Sequence, residues 1–440
     1  MRRRTVDTMT MTRWVRVVRL ALPLALLFPI AIWIFGGETR LKARTTDTVR
    51  AEVRALWVTR ASLVSARAID EMVRAARQHG FNTIFVQVRG RGDAYFSGGV
   101  EGRASELAAT PAAFDPLADV IQGARAAGLR VHAWINVNLV ASAVELPSDR
   151  THILYRHPEW LMVPREIATQ LARYEPNNPA YAGAISRWTR AQAGLVEGLY
   201  ASPIIPASAD HVVSIVTDLA RRYDLDGVHL DYVRYPNETF DHSRFAIAEF
   251  RSDIAATMAA PERYAVDRRA AVDPFAWPDT FPEQWRDFRR ARLSQLVRRI
   301  RSAVKAARPS AVVSAAVAPD TAEALENKLQ NWRAWVEGQL IDIVCPMAYT
   351  QDPAVFDAQI AAARQIAGPD AVWAGIGAFR LTPAQTVQHI GAARRAGAAG
   401  IALFSYDSVT APPAAPDYLA AVARSAFGAA ASASGGAARQ

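Results

Sequence analysis

Residues 226–236 read Asp226-Gly-Val-His-Leu-Asp-Tyr-Val-Arg-Tyr-Pro236, a short run that ends in a carboxylate, an arginine and two tyrosines. Val228 and Leu230 alternate with His229 and Asp231 at the two-residue period of a strand, Gly227 opens the run, and Pro236 removes a donor the ladder would need. The pattern predicts Asp231 at a strand tip rather than on a solvated helix face.

The same grammar recurs on both sides of this run. Apolar, β-branched segments fall at 54–60, 83–90, 130–138, 227–236, 312–319, 341–350, 371–380 and 400–408. The stretches between them mostly read as helices. Ser65 precedes a face of Ile69, Met72, Val73 and Ala76 that Gly80 stops. Asp115-Pro116 and Thr382-Pro383 each place a capping residue before proline at the first helical position, with Gly128 and Gly397 as the stops. Eight strands alternating with helices predict an α/β fold, a (β/α)8 TIM barrel over residues 50–425.

From Arg54 to Ser408 is 355 residues (408 − 54 + 1), against roughly 250 for a typical barrel. The surplus falls in 139–210 and 237–283, so extended loops are expected after strands 3 and 4, on the face where barrels keep their chemistry. Those insertions hold Trp160, Tyr174, Trp188, Tyr200 and Trp277, with Trp285 just beyond. Such rings either stack on sugars or pack the insertion onto the barrel.

The N-terminus follows different rules. Arg2, Arg3, Arg4, Arg13, Arg16 and Arg19 precede the apolar run 20–35, the pattern of a signal peptide or an N-terminal membrane anchor, and residues 1–45 are assigned to it with its linker. Positive charge upstream of the run predicts export, to the periplasm or the extracellular space. Residues 1–50 carry ten Lys or Arg against three Asp or Glu, a net of +7, so of the formal +9 only 9 − 7 = +2 belongs to residues 51–440. The basic balance is therefore no nucleic-acid footprint. The Ala/Gly/Ser composition of 426–440 predicts a disordered tail.

Cys345 is the only cysteine, which excludes an intramolecular disulfide and a thiolate cluster, and the eight histidines show no metal-ligand spacing. No cofactor and no metal are expected. The strand tips also lack a lysine suited to Schiff-base chemistry and a phosphate-binding glycine loop. They carry carboxylates, arginines, amides and aromatics, an inventory that fits glycoside hydrolysis, in which one carboxylate acts as nucleophile or base and a second protonates the leaving oxygen. Asp231 is the candidate nucleophile or base; its alternative is a structural pairing with Arg234 or Arg89. The acid stays open among Asp93, Asp352 and Asp407 near other strand ends, with Asp320, Glu175 and Glu238 as further carboxylates. Arg89, Trp134, Asn136, His229, Arg234, Tyr235, Tyr349, Arg380 and Tyr406 are the candidate substrate-binding residues, since each falls at or beside a strand end.

Five colinear motifs, 54–60 (Arg-Ala-Leu-Trp-Val-Thr-Arg), 82–95, Phe114-Asp-Pro-Leu117, 129–136 (Leu-Arg-Val-His-Ala-Trp-Ile-Asn) and 226–236, together resemble the glycosyl-hydrolase-like 10 domain of bacterial envelope proteins. Pro158-Glu-Trp-Leu161 and Glu175-Pro-Asn-Asn-Pro179 resemble segments between that family's third and fourth strands. The resemblance implies a TIM barrel distantly related to amylase-type hydrolases, exported and acting on a polysaccharide or on peptidoglycan glycan. It places Asp231 at the family's acidic strand end. Many relatives carry a second Asp next to it, where this chain has Tyr232, and the fifth strand ends Ala318-Pro-Asp320 without a glutamate. Two functions are therefore weighed: a glycosidase of the cell envelope, and a barrel that binds glycan without cutting it.

Overall fold

The computed structural model describes residues 51–414 and 417–428. The segment expected to direct export, 1–45, and the tail from 429 onward lie outside the described residues, while residues 426–428 close the last helical stretch, Ala423–Phe427.

Among the described residues there are ten strands: β1 (Val53–Val58), β2 (Thr83–Arg89), β3 (Arg130–Asn136), β4 (Leu139–Ser142), β5 (Gly198–Tyr200), β6 (Gly227–Asp231), β7 (Val312–Val317), β8 (Ile343–Ala348), β9 (Trp373–Ile376) and β10 (Gly400–Leu403). Eight of them close a barrel in the order β1-β2-β3-β6-β7-β8-β9-β10, and β4 and β5 form a separate two-stranded sheet. Every barrel pairing is parallel, with β1 joined to β2 through Ala55↔Thr83 and to β10 through Val53↔Gly400. The fold is a (β/α)8 TIM barrel.

The helices start and stop where the sequence punctuates them. Ser65 accepts from the Ala68 N–H at the head of Ala66–Gln78, and Gly80 takes a φ of +77° just past its end, a conformation open to glycine at no steric cost. Asp115 caps Pro116–Ala126, and Thr382 and Gln385 form a reciprocal capping box on Pro383–Arg395.

All eight barrel strands end short of their apolar runs, most by one or two residues and three of them by four or five. β6 stops at Asp231 because Tyr232 swings to a φ of +48°, four residues before Pro236. β9 ends at Ile376 and passes into a short turn of 3-10 helix, Ala378–Arg380. β10 ends at Leu403, and Tyr406–Thr410 is a helical turn capped by Ser405. Arg380, Tyr406 and Asp407 therefore sit one turn beyond the strands to which the sequence assigned them.

Inside the barrel the core is aromatic: Trp57, Phe85, Trp134 and Trp373 are all buried, and His229 lies among them. Between β3 and β6, short helices and the β4–β5 pair bury their own cluster around Tyr181, Ile185 and Leu199. After β6, Phe250, Trp277, Trp285 and Phe288 bury a further one. Trp160, Tyr200, Trp277 and Trp285 are thus packing residues.

Candidate active site

Asp231 closes β6, and the register sets it beside Asn136 at the end of β3. The turn that follows is strained. A bulky residue in the left-handed region is disfavoured by roughly 1–2 kcal/mol, yet Tyr232 adopts it, and its backbone N–H folds back to donate to Asp231 Oδ1 at 2.7 Å. Strain of this kind collects where a side chain must be aimed.

Asp231 is 8% exposed. Burial pushes its carboxyl up to about 6, against the pull of the Arg234 guanidinium, the Tyr232 N–H and the Trp134 indole, while the charge of Glu197 adds to the rise. Arg234 donates to Glu197 Oε1 at 2.8 Å and to the Tyr200 hydroxyl at 3.3 Å, and its guanidinium lies 4.7 Å from the centre of the Tyr232 ring. Glu197 immediately precedes β5, so the small sheet outside the barrel fixes the arginine beside Asp231. Burial would raise the Glu197 carboxyl, but the facing Arg234 holds it below its ordinary range.

Above these groups opens a cavity of about 560 Å3, inside the range of roughly 300–1,000 Å3 usual for ligand sites. Of the residues singled out from sequence, Asp231, Trp134, Asn136, Arg234 and Tyr349 line it. Trp57, Met347 and Phe404 complete an apolar floor and wall. Asn136 is held by donation to Gly90 O at 2.7 Å and by acceptance from the Trp134 indole at 3.0 Å.

His229 lies beneath this floor. Its Nε2 accepts from the Trp57 indole at 3.0 Å, its Nδ1 faces Ser314 Oγ at 2.9 Å, and its ring stacks on Phe85 with centroids 4.2 Å apart. Burial, with the neighbouring His132, pushes its pKa well below the usual histidine range, so a neutral imidazole orients Trp57 rather than meeting a ligand.

Arg89 is likewise a support. It is fully buried in a two-pronged pair with Glu101, at 2.8 and 2.7 Å, and also donates to Val137 O at 3.2 Å and to Asn136 O, so that it ties down the end of β3. Burial alone would raise Glu101, but Arg89 and a hydrogen bond from His211 bring its carboxyl down to about 2.

The other expected site residues stand elsewhere. Asp93 accepts from the Gly90 and Arg91 N–H groups and closes the turn after β2. Asp352 caps Pro353–Ala367 through the Ala354 and Val355 N–H groups. Asp407 accepts from the Thr59 N–H and the Ser62 hydroxyl, both at 2.7 Å, and anchors the end of β1. Asp320 caps the stretch that begins at Glu323. Arg380 is exposed and donates to Tyr349 O, Tyr235 is buried against Arg289 O, and Tyr406 is half-buried on its helical turn. None of these lines the Asp231 cavity.

What the cavity does contain is Glu106, on the short turn Ser105–Leu107, the carboxylate that lines it together with Asp231 among the described residues. Burial would raise Glu106, but its own backbone N–H, the Ser105 and Tyr95 hydroxyls and Arg60, 3.8 Å away, leave its carboxyl below the ordinary range. Arg60, Gln87, Arg91 and Tyr232 join the same wall. Nothing in the strand period marks Glu106, because it comes from an irregular segment that returns to the mouth only in three dimensions. No group of three or more His, Cys, Asp or Glu able to hold a metal occurs among the described residues.

The mouth of this parallel barrel thus gathers two carboxylates, three arginines and an aromatic wall into one cavity, on the face where (β/α)8 enzymes keep their chemistry. The chain belongs to the glycosyl hydrolase-like 10 family, whose model matches residues 52–372. It is 25% identical over 242 residues to the glycosyl hydrolase YngK of Bacillus subtilis, covering 52% of this chain and 35% of YngK. It is 26% identical over 215 residues to an S-layer-related protein of Niallia circulans, covering 46% of this chain and 12% of that one. The chain thus spans about a third or less of the curated relatives' length. In fold it is similar to the glycoside hydrolase domain of PgaB (BpsB) from Bordetella bronchiseptica, with a TM-score of 0.58, 16% identity, and coverage of 84% of this chain and 97% of that domain.

Proposed function

We propose that this protein is a glycoside hydrolase that cuts an exported or cell-envelope polysaccharide, peptidoglycan glycan included, with Asp231 and Glu106 as its paired carboxylates. The observation that carries this reading is the opposite displacement of the two groups within one cavity: Asp231 is pushed up to about 6 and Glu106 is held down. Two carboxyls whose surroundings drive them apart divide into a proton donor and an ionised partner. Asp231, still partly protonated near neutrality, is the general acid toward the leaving glycosidic oxygen, and Glu106 is the ionised nucleophile or base. This assigns to Asp231 the role opposite to the one its strand position alone suggested. Arg60, Arg91 and Asn136 supply donors for sugar hydroxyls, and Trp134 and Tyr349 supply ring faces.

The envelope setting rests on the basic and apolar N-terminal run and on a relative described as S-layer-related. Among the described residues no helix is long and apolar enough to cross a membrane; the run at 20–35 lies outside them.

The test is release of reducing ends from a panel of polysaccharides and peptidoglycan strands by the full-length protein, beside Asp231→Asn and Glu106→Gln. Each variant is expected to lose about 10²–10⁴-fold in kcat, the range typical of removing a general acid or base, while keeping its glycan affinity. Equal binding with no turnover in the unaltered protein would favour the second reading, a glycan-binding barrel, for which Tyr232 in place of the acidic neighbour is the supporting feature.

A further inference from the structure

A second cavity, of about 630 Å3, adjoins the first. It lies between the segment after β2 and the segment after β4, with Ser105, Ser142, Glu145, Ser148 and Asp149 on its walls. Arg91 and Glu106 belong to both cavities, so the two meet along a shared wall in which one of the paired carboxylates stands.

Arg91 is held in an unusual way. Its N–H donates to Asp93 Oδ1 at 2.8 Å, and its carbonyl is met by His152 Nε2 at 2.7 Å. The next residue, Gly92, has a φ of +74°, and a Cβ there would come within 2.9 Å of the His152 ring, so the close approach requires glycine. The main chain of Arg91 is therefore clamped from two sides. Its half-buried guanidinium, by contrast, donates no hydrogen bond and makes no ion pair among the described residues. Burial, followed by the repulsion of Arg60, lowers its pKa, and the carboxylates of Asp93, Glu106 and Glu145 lie near enough to oppose that without bonding it. An arginine with a fixed backbone and uncommitted donors, on the wall shared by two cavities, has five N–H groups free to meet a ligand from either side.

We propose that the two cavities form one cleft for a polysaccharide chain. Sugar units at the cleavage point occupy the Asp231 cavity, further units occupy the second cavity, and Arg91 grips the chain where it passes between them. The substrate class is then an oligomer or polymer cut within its length, not a disaccharide or a single terminal sugar. This rests on the reading of Asp231 as part of a glycan site, and it adds an extended binding surface on the loops after β2 and β4.

The test measures binding and cleavage separately. Binding is followed by calorimetry on full-length Asp231→Asn with size-fractionated peptidoglycan strands and with cello- and malto-oligosaccharide ladders. Ser148→Trp, which fills the second cavity, and Glu145→Ala, which removes an uncommitted side chain from it, are placed in the same background; Arg91→Met is the junction variant. The expected result is affinity that climbs with chain length by about tenfold or more, roughly 1.4 kcal/mol, for the ladder that binds. Ser148→Trp should abolish that climb while leaving the shortest binding oligomer unaffected, and Arg91→Met should weaken long oligomers most. In the cleaving protein, products should be internal fragments, and Ser148→Trp should lower kcat/KM for long substrates only. Affinity that is independent of length, or a Ser148→Trp effect equal for short and long oligomers, overturns the cleft. Length-dependent binding lost in Ser148→Trp without cleavage by any form would retain the cleft and overturn the hydrolase. Absence of binding to every ladder overturns both.

Discussion

The two halves of the barrel mouth end in the same residue types and use them for different work. In the half built by β1, β2, β3 and β6, Asp231 is buried beside arginines and faces a cavity. In the half built by β7, β8, β9 and β10, Asp320, Asp352 and Asp407 are taken up by backbone N–H and hydroxyl donors, and what that half gives the cavity is a wall of Ala316, Met347, Tyr349 and Phe404. A strand-end carboxylate is therefore told apart by its burial rather than by its donors, since about two donors reach each of them. Exposed or half-buried, it serves as a cap or an anchor; desolvated, as Asp231 is, it becomes a titrating group. Asp93 shows that the rule is not one of geography, because it lies in the first half and still closes a turn.

The largest effect expected outside the chemistry concerns a support on the charged side. Glu101→Ala leaves Arg89 buried without its partner, and breaking a buried pair from one side costs about 3–5 kcal/mol. Urea unfolding should register that loss. Because Arg89 also ties Asn136 and Val137, glycan binding should weaken in the fraction that stays folded. A loss below about 1 kcal/mol, the scale of surface pairs, would mean the charged half does not depend on this clamp.

Asp407→Ala comes next. It strips the acceptors from the Thr59 N–H and the Ser62 hydroxyl, and two bonds to an ionised group are worth on the order of 3 kcal/mol together. The melting temperature should fall, while kcat measured below it stays within a few-fold. A collapse of kcat with unchanged stability would move the acid to the aromatic half and dissolve the division drawn above.

Most of the barrel was legible because strand period and helix punctuation are local properties. Ser65, Gly80, Asp115, Gly128 and Thr382 each act within four residues of where they stand. Strand ends were less legible: Tyr232 leaves the strand through a backbone conformation that residue type argues against. Of the site, Asp231, Trp134, Asn136, Arg234 and Tyr349 could be placed from their strands. Glu106 could not, because it reaches the cavity from a loop with no period of its own. Arg89 and His229 were misplaced for another reason: a polar residue near a strand end faces either the mouth or the interior, and only Glu101 and Trp57, distant in sequence, decide which.

Asp231 gives an effect of opposite sign to Asp407. Its folded pKa is raised to about 6 from an ordinary 3.8, so the folded state binds that proton more tightly than the unfolded chain. The resulting stabilisation is complete below the unfolded value and is lost as pH rises through about 6. At neutral pH the ionised, buried carboxylate therefore destabilises the fold by on the order of 3 kcal/mol. Asp231→Asn should melt higher than the unaltered protein at pH 7, and the advantage should vanish near pH 4. The same group predicts kcat/KM falling as pH rises above about 6, since the protonated form is the donor. Activity that instead climbs through that pH would restore Asp231 as nucleophile or base and leave Glu106 as the acid.

The smallest effect tests the aromatic half at its most exposed point. Asp352 accepts from the Ala354 and Val355 N–H groups at the head of Pro353–Ala367. An alanine there leaves both donors to water and costs about 1 kcal/mol, as lost helix caps do. The helix packs behind β8, which carries Tyr349 to the cavity wall, so a frayed first turn reaches the site only through the position of that ring. Cleavage by Asp352→Ala should therefore match the unaltered protein within about twofold, with asparagine restoring the stability because it caps equally well. If asparagine restored stability but cleavage stayed depressed by more than about a hundredfold, the scale of a lost acid or base, Asp352 would be a proton donor that moves inward when glycan binds. The separation of a charged half from an aromatic half would then fail for the reaction itself.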